Sequence, residues 1–280
     1  MNNKKLIATI LSCAMLVSFA SCSQKTTETD EIESTTIEEV TETTTEGSSE
    51  ETTTPEETTT DTYVVKEDAI PESYMDIISI ANDVITRSSS EYYESITVED
   101  GFMGIYEETS ALGEEEAVSN ICFSLKDINN DGIDELIISS KVNDDGITEY
   151  VSPAYRAGYS VLAVYTLDGD DAVLIAEAWS RNSWYINSDG EFINEGSGGA
   201  AYHELGLYTL EANATELTNI YRLYTDFEIE TETISLYEEV AGNIAVVDVE
   251  DIWSTMDNSC EQFTTEMLEL ELVPINSPLV

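Results

Sequence analysis

The chain has 280 residues, with 58 Asp and Glu against 10 Lys and Arg, giving a formal net charge of -48. A surface this acidic repels phosphate backbones and anionic headgroups, which excludes nucleic acid as a partner and membrane attachment through a basic patch. Yet 41% of the residues are hydrophobic and 15 are Tyr, too many for a chain that stays unfolded throughout.

In chain order, Met1 to Lys5 forms a short basic start and Leu6 to Phe19 an apolar run. That run falls short of the ~20 residues a relaxed bilayer span needs, so residues 1–21 read as an export signal. Phe19-Ala20-Ser21-Cys22 resembles the lipobox of bacterial lipoproteins, with Phe19 where Leu is usual. The resemblance implies a lipid on Cys22, which becomes the mature N-terminus on the outer face of the cell membrane. A plain secretory signal with an incidental Cys22 is the alternative.

Residues 22–62 then form a tether. Thr26 to Thr62 holds 16 Thr, 13 acids and no Lys or Arg, and too few aliphatic residues to offset chain entropy. Two or more acyl chains at Cys22 would hold such a stalk stably, where a single chain would not.

Residues 63–280 are expected to form a single globular domain. Pro71 opens a helical pattern with Tyr74, Ile77, Ile78, Ala81 and Ile85 at helix spacing. Strand signals follow at Cys122 to Leu125, Leu136 to Ser139, Val161 to Thr166, Ala172 to Trp179, Ser183 to Asn187, Glu191 to Asn194, Leu205 to Leu210 and Glu216 to Tyr224. Asp168 to Asp171 and Ser188-Asp189-Gly190 supply hairpin turns. Val249 to Met256 and Cys260 to Leu268 read as helices before a last apolar stretch, Leu270 to Ile275. The expected fold is α+β, an antiparallel β meander with an N-terminal helix and C-terminal helices packed against it.

One motif points to an ion. Asp127-Ile128-Asn129-Asn130-Asp131-Gly132-Ile133-Asp134-Glu135 places oxygen-bearing side chains at alternate positions of a short loop. Calcium takes six to eight hard oxygen ligands from such loops. Asp127, Asn129, Asp131 and Glu135 would ligate through side chains and Ile133 through its carbonyl, with Gly132 making the sharp turn. A hairpin without an ion is the alternative, since Gly and Asn are ordinary turn residues. Ile138 stands where an EF-hand needs its bidentate carboxylate.

The loop resembles the calcium loop of FG-GAP and integrin-type β-propeller repeats, with Glu135 in place of the usual Asp. Those propellers carry several copies and this chain has one, so the resemblance implies calcium ligation without the propeller. A lipobox, an acidic Thr/Glu tether, this loop and the Gly196-Ser197-Gly198-Gly199 stretch together resemble uncharacterised cell-surface lipoproteins of Gram-positive gut bacteria. That resemblance implies location and calcium and no activity.

Within the domain only Cys122 and Cys260 remain, either paired as one disulfide or buried as free thiols. With a single histidine, His203, a zinc site of the His/Cys kind is excluded. Ser197 sits among glycines but lacks the context of a protease triad, and His203 reads as a strand residue. Trp179, Trp184 and Tyr185 suit either core packing or stacking on a sugar face. The sequence therefore suggests a noncatalytic surface module for an extracellular glycan or protein. The alternative is a glycosidase-like extracellular hydrolase using a carboxylate pair that the sequence alone cannot select.

Overall fold

The computed structural model describes residues 70–87, 101–142 and 152–277. The export signal, Cys22, the tether and the acidic turn at 143–146 lie outside the described residues.

Helix α1 (Glu72–Thr86) buries Tyr74, Ile78, Ala81, Val84 and Ile85, which recur at three- and four-residue spacing along one face. Pro71 sits at its N-cap with φ -55°, and its carbonyl accepts from Tyr74 and Met75 N–H. Among the described residues two further helices precede the sheet, α2 (Met103–Leu112) and α3 (Glu114–Asn120). Gly113, at φ 84°, ends the first and starts the second. Three glutamates, Glu114 to Glu116, complement the positive dipole end of α3.

The strands are β1 (Ile121–Lys126), β2 (Glu135–Lys141), β3 (Tyr159–Asp168), β4 (Asp171–Glu177), β5 (Asn182–Ile186), β6 (Phe192–Gly199), β7 (Tyr202–Leu210), β8 (Leu217–Glu228), β9 (Thr233–Val240), β10 (Asn243–Val247) and β11 (Val273–Pro274). A short helix, α4 (Pro153–Ala157), precedes β3, and α5 (Ile252–Phe263) follows β10. All pair antiparallel in one sheet of order β10-β9-β8-β7-β6-β5-β3-β2-β1-β11, with β4 attached to β3. The described part is a β-rich α+β structure dominated by antiparallel strands, as its sequence suggests.

Both faces of the central strands are covered, which explains the unbroken burial of Glu135 to Ser140 in β2. On one face Phe123, Leu136, Ile138 and Tyr165 pack with α1, α2 and α3. On the other, Ile137, Val164, Ile186 and Phe192 form a second cluster joined by Leu268, Leu270 and Leu272. A third cluster, with Ile193, Leu205, Leu223 and Leu236, packs with Met256 and Cys260 of α5.

The C-terminal region differs from expectation. Instead of two helices, α5 is the single one there, capped by Asp251, whose side chain accepts from Ser254 N–H. The chain beyond it is drawn onto the sheet. Ser188 N–H donates to the Glu266 carbonyl and Leu268 N–H to the Ile186 carbonyl, and Asn187 bridges Met267. These backbone bonds outweigh a local helical pattern at 264–268, a tertiary override of propensity. Cys122 and Cys260 are free and buried, which decides against a disulfide between them.

Candidate functional site

The acidic loop joins β1 to β2, with Lys126 opposite Glu135 closing it. Gly132 adopts φ 91° and Asn130 φ 58°, left-handed conformations that suit those two residue types. The side chains turn back on the loop's own backbone. Asp127 accepts from Asp131 N–H at 3.1 Å and Gly132 N–H at 3.0 Å, and Asn129 Oδ1 also accepts from Asp131 N–H at 3.1 Å. Asp131 accepts from Ile133 N–H at 2.8 Å and from Asn213 N–H, across in the β7–β8 turn, at 2.8 Å. Asn129 in turn donates to the Glu211 carbonyl. The Asn213 N–H, with help from Ile133 N–H and the Asn129 amide, holds the Asp131 carboxyl below its ordinary value.

Glu135 behaves differently from the other four predicted ligands. It is the first residue of β2 and is fully buried. Its two oxygens accept from Ile128 N–H at 2.9 Å and from the Thr166 hydroxyl at 3.0 Å. Burial pushes its pKa up to about 7; the Ile128 and Thr166 bonds pull the other way, and the Asp131 and Asp127 charges add to the rise. Strand alternation puts residue 135 on the face of Ile137, where its buried carboxyl is taken up by the Ile128 N–H and the Thr166 hydroxyl. The donor set suits calcium at Asp127, Asn129 and Asp131, whose oxygens each retain lone-pair capacity beyond their backbone bonds. Among the described residues no three His, Cys, Asp or Glu side chains gather as a metal site.

A second feature centres on the tight turn between β4 and β5. Trp179 and Asn182 exchange backbone hydrogen bonds at 3.1 and 2.8 Å, and Arg181 takes φ 69° at the tip. On one side of this turn lies a cavity of about 610 Å³ against α2, bordered by Glu107, Glu108, Trp179 and Trp184. Gly104 lets α2 approach the sheet, since a Cβ there would sit 2.6 Å from the Ala178 carbonyl. Both acids serve the scaffold: Glu107 accepts from Ser180 N–H and Glu108 from the Ser140 hydroxyl at 2.6 Å.

On the other side lies a cleft of about 540 Å³. Strand β6 forms its floor through Asn194 and Gly196 to Gly198. Trp179 and Arg181 of the β4–β5 turn, Tyr202 and Glu204 of β7 and Tyr224 of β8 also line it. Trp179 and Tyr202 are 43% and 47% exposed, large for aromatic residues beside a concave surface. Arg222 stacks 4.4 Å over the Tyr224 ring and pairs with Glu239 at 2.9 Å and Glu204 at 3.6 Å, holding Tyr224 and Glu204 in place.

Ser197 and His203 face each other across β6 and β7. Even so, the Ser197 hydroxyl donates to the Gly199 carbonyl and the His203 ring packs edge-on to Trp253 at 4.9 Å. Gly199, at φ 146°, accommodates the bulge between the two strands. Trp184 is partly buried, donates from Nε1 to the Glu177 carbonyl and tilts against Tyr208, and Tyr185 is buried in the third cluster. Of the three aromatics singled out in the sequence, Trp179 is the exposed one. Arg181, Asn194, Tyr202 and Glu204 carried no sequence signal, because only strand register gathers them. Compared with protein-family models, characterised proteins and solved structures, the chain has no match.

Proposed function

We propose that this chain is a lipid-anchored extracellular surface protein whose domain, residues 63–280, is a noncatalytic binding module for a glycan or protein. The observation that supports this reading is the concave, aromatic-edged surface on both sides of the Trp179–Asn182 turn, beside acids already committed to scaffold hydrogen bonds. Cys22 carries the lipid that attaches the chain to the membrane, and the tether holds the domain away from it. Helices at the two ends of the domain pack against the meander and hold the binding surface rigid. Nucleic acid is not a partner, because the acidic surface repels phosphates.

Calcium serves the scaffold in this reading. When bound it supplies a compact positive charge against Asp127 and Asp131. Asp127, Asn129, Asp131 and the Ile133 main chain would hold it, and Glu135 anchors the following strand. One observation favours the hydrolase alternative: Glu107 and Glu108 border the same cavity as Trp179 and Trp184.

Retention of the full chain on insoluble polysaccharide and on immobilised protein tests the reading, with reducing ends assayed throughout. Retention without new reducing ends is expected. New reducing ends would establish the hydrolase, and retention on neither surface would refute the binding module.

A further inference from the structure

The cleft beneath Trp179 contains glycines that the fold itself does not require. Gly199 needs its backbone conformation, with φ at 146°. Gly196 and Gly198 do not. A Cβ at Gly196 would meet nothing nearer than the Asn194 amide oxygen at 3.6 Å, and one at Gly198 nothing nearer than Tyr202 Cβ at 3.5 Å. Those are ordinary contact distances, and Gly weakens a strand interior. Side chains at these positions would instead take up space that now belongs to the cleft, since Gly196 and Gly198 both line it. A bare strand under exposed aromatic rings leaves room for something flat to lie against the backbone.

The polar groups around that space define its chemistry. Arg181 forms no ion pair among the described residues and offers donors, while Glu204 offers acceptors. Hydroxyl groups use donors and acceptors together, whereas a carboxylate or phosphate uses donors alone. A formal charge of -48 also disfavours an anionic ligand. The C–H faces of a sugar ring suit the exposed faces of Trp179 and Tyr202. The volume lies within the ~300–1,000 Å³ of small-ligand sites.

We infer that the cleft between Trp179 and Tyr202, floored by Gly196 and Gly198, binds a neutral oligosaccharide with sugar rings laid on the aromatic faces. The inference rests on the binding-module reading and names its site and ligand class. Because Gly196 and Gly198 are needed by the ligand and not by the fold, filling the floor removes binding and leaves the protein folded.

The test is calorimetric titration of the full chain with maltohexaose, cellohexaose, xylohexaose and mannohexaose, with oligogalacturonate and a casein digest as contrasting probes. At least one neutral hexasaccharide is expected to bind. Gly198→Val is expected to abolish that binding, and Trp179→Ala to weaken it about tenfold, both with unchanged melting temperature. Binding of oligogalacturonate alone, or neutral binding indifferent to both variants, would overturn the inference. Heat from the casein digest alone would overturn it while leaving the binding-module reading intact, and silence with every probe would count against both. If Gly198→Val lowers the melting temperature, Trp179→Ala decides the matter, since its partly exposed ring is not part of the buried core.

Discussion

The loop at 127–135 and the cleft beneath Trp179 belong to the same sheet but are built in opposite ways. The Asp127, Asn129 and Asp131 side chains of the loop accept from N–H groups within a few residues, with a clasp to Glu211 and Asn213 beside them. The cleft draws on β6, β7, β8 and the β4–β5 turn, and its Trp179 and Tyr202 remain partly exposed. A region whose groups satisfy one another contributes to stability. A region that leaves aromatic residues and an arginine without an ion pair beside a strand of glycines is suited to a ligand. This division, loop for scaffold and cleft for binding, generates measurable differences.

The largest expected effect falls on Glu135. Glu135→Ala strands the Ile128 N–H and the Thr166 hydroxyl in the core and should cost about 1–3 kcal/mol in denaturant unfolding, to the same extent with calcium and with chelator. A cost that disappears in chelator would make Glu135 a ligand and erase the contrast between the loop and its strand. The same residue sets a pH dependence. Its folded pKa, about 7, lies above the ordinary 4.5. Between those values the folded protein therefore retains a proton that the unfolded chain has released. This contribution is fully present below pH 4.5 and is lost as the pH rises through 7. Glu135→Gln should flatten that slope in melting curves taken across the window.

Calcium should act next in size and only on stability. For a Kd of about 0.1 mM, about 1 mM calcium adds roughly 1.4 kcal/mol, and Asp127→Ala with Asp131→Ala should abolish the resulting rise in melting temperature. Identical melting curves in calcium and chelator would make the loop a hairpin closed by its own backbone. The smallest effect concerns the thiols. Burial pushes Cys122 and Cys260 upward, so iodoacetamide should label neither in the native protein and both after unfolding. Labelling of either native thiol would show that the core around it opens.

The difference in construction also explains what the sequence disclosed. Asp127, Asn129, Asp131 and Gly132 were legible because their roles depend on spacing within one turn. Glu135 has a second role that spacing could not show: β2 begins there, and its buried carboxyl accepts from Ile128 N–H and the Thr166 hydroxyl. The antiparallel strands from 121 to 224 were legible from alternating apolar residues and turn chemistry. Helix α2 was not, because Gly104 and Thr109 interrupt its apolar face. Strands β9 and β10 were missed too, and most of β10 is exposed, with Ile244 and Val246 outside any core. The cleft had one local trace, the glycines at 196–199, of which Gly198 and Gly199 read as a tight turn or a bulge, and a bulge lies there. Their meaning depends on register, which sets Gly196 opposite Glu204 and Ser197 opposite His203.

The most direct measurement of the division between loop and cleft is the affinity of the best-binding neutral hexasaccharide for the Asp127→Ala, Asp131→Ala double variant, taken below its melting temperature. The account predicts an affinity equal to that of the unaltered chain despite a lower melting temperature. An affinity lost together with the loop carboxylates would contradict it and place ligand recognition in the loop itself.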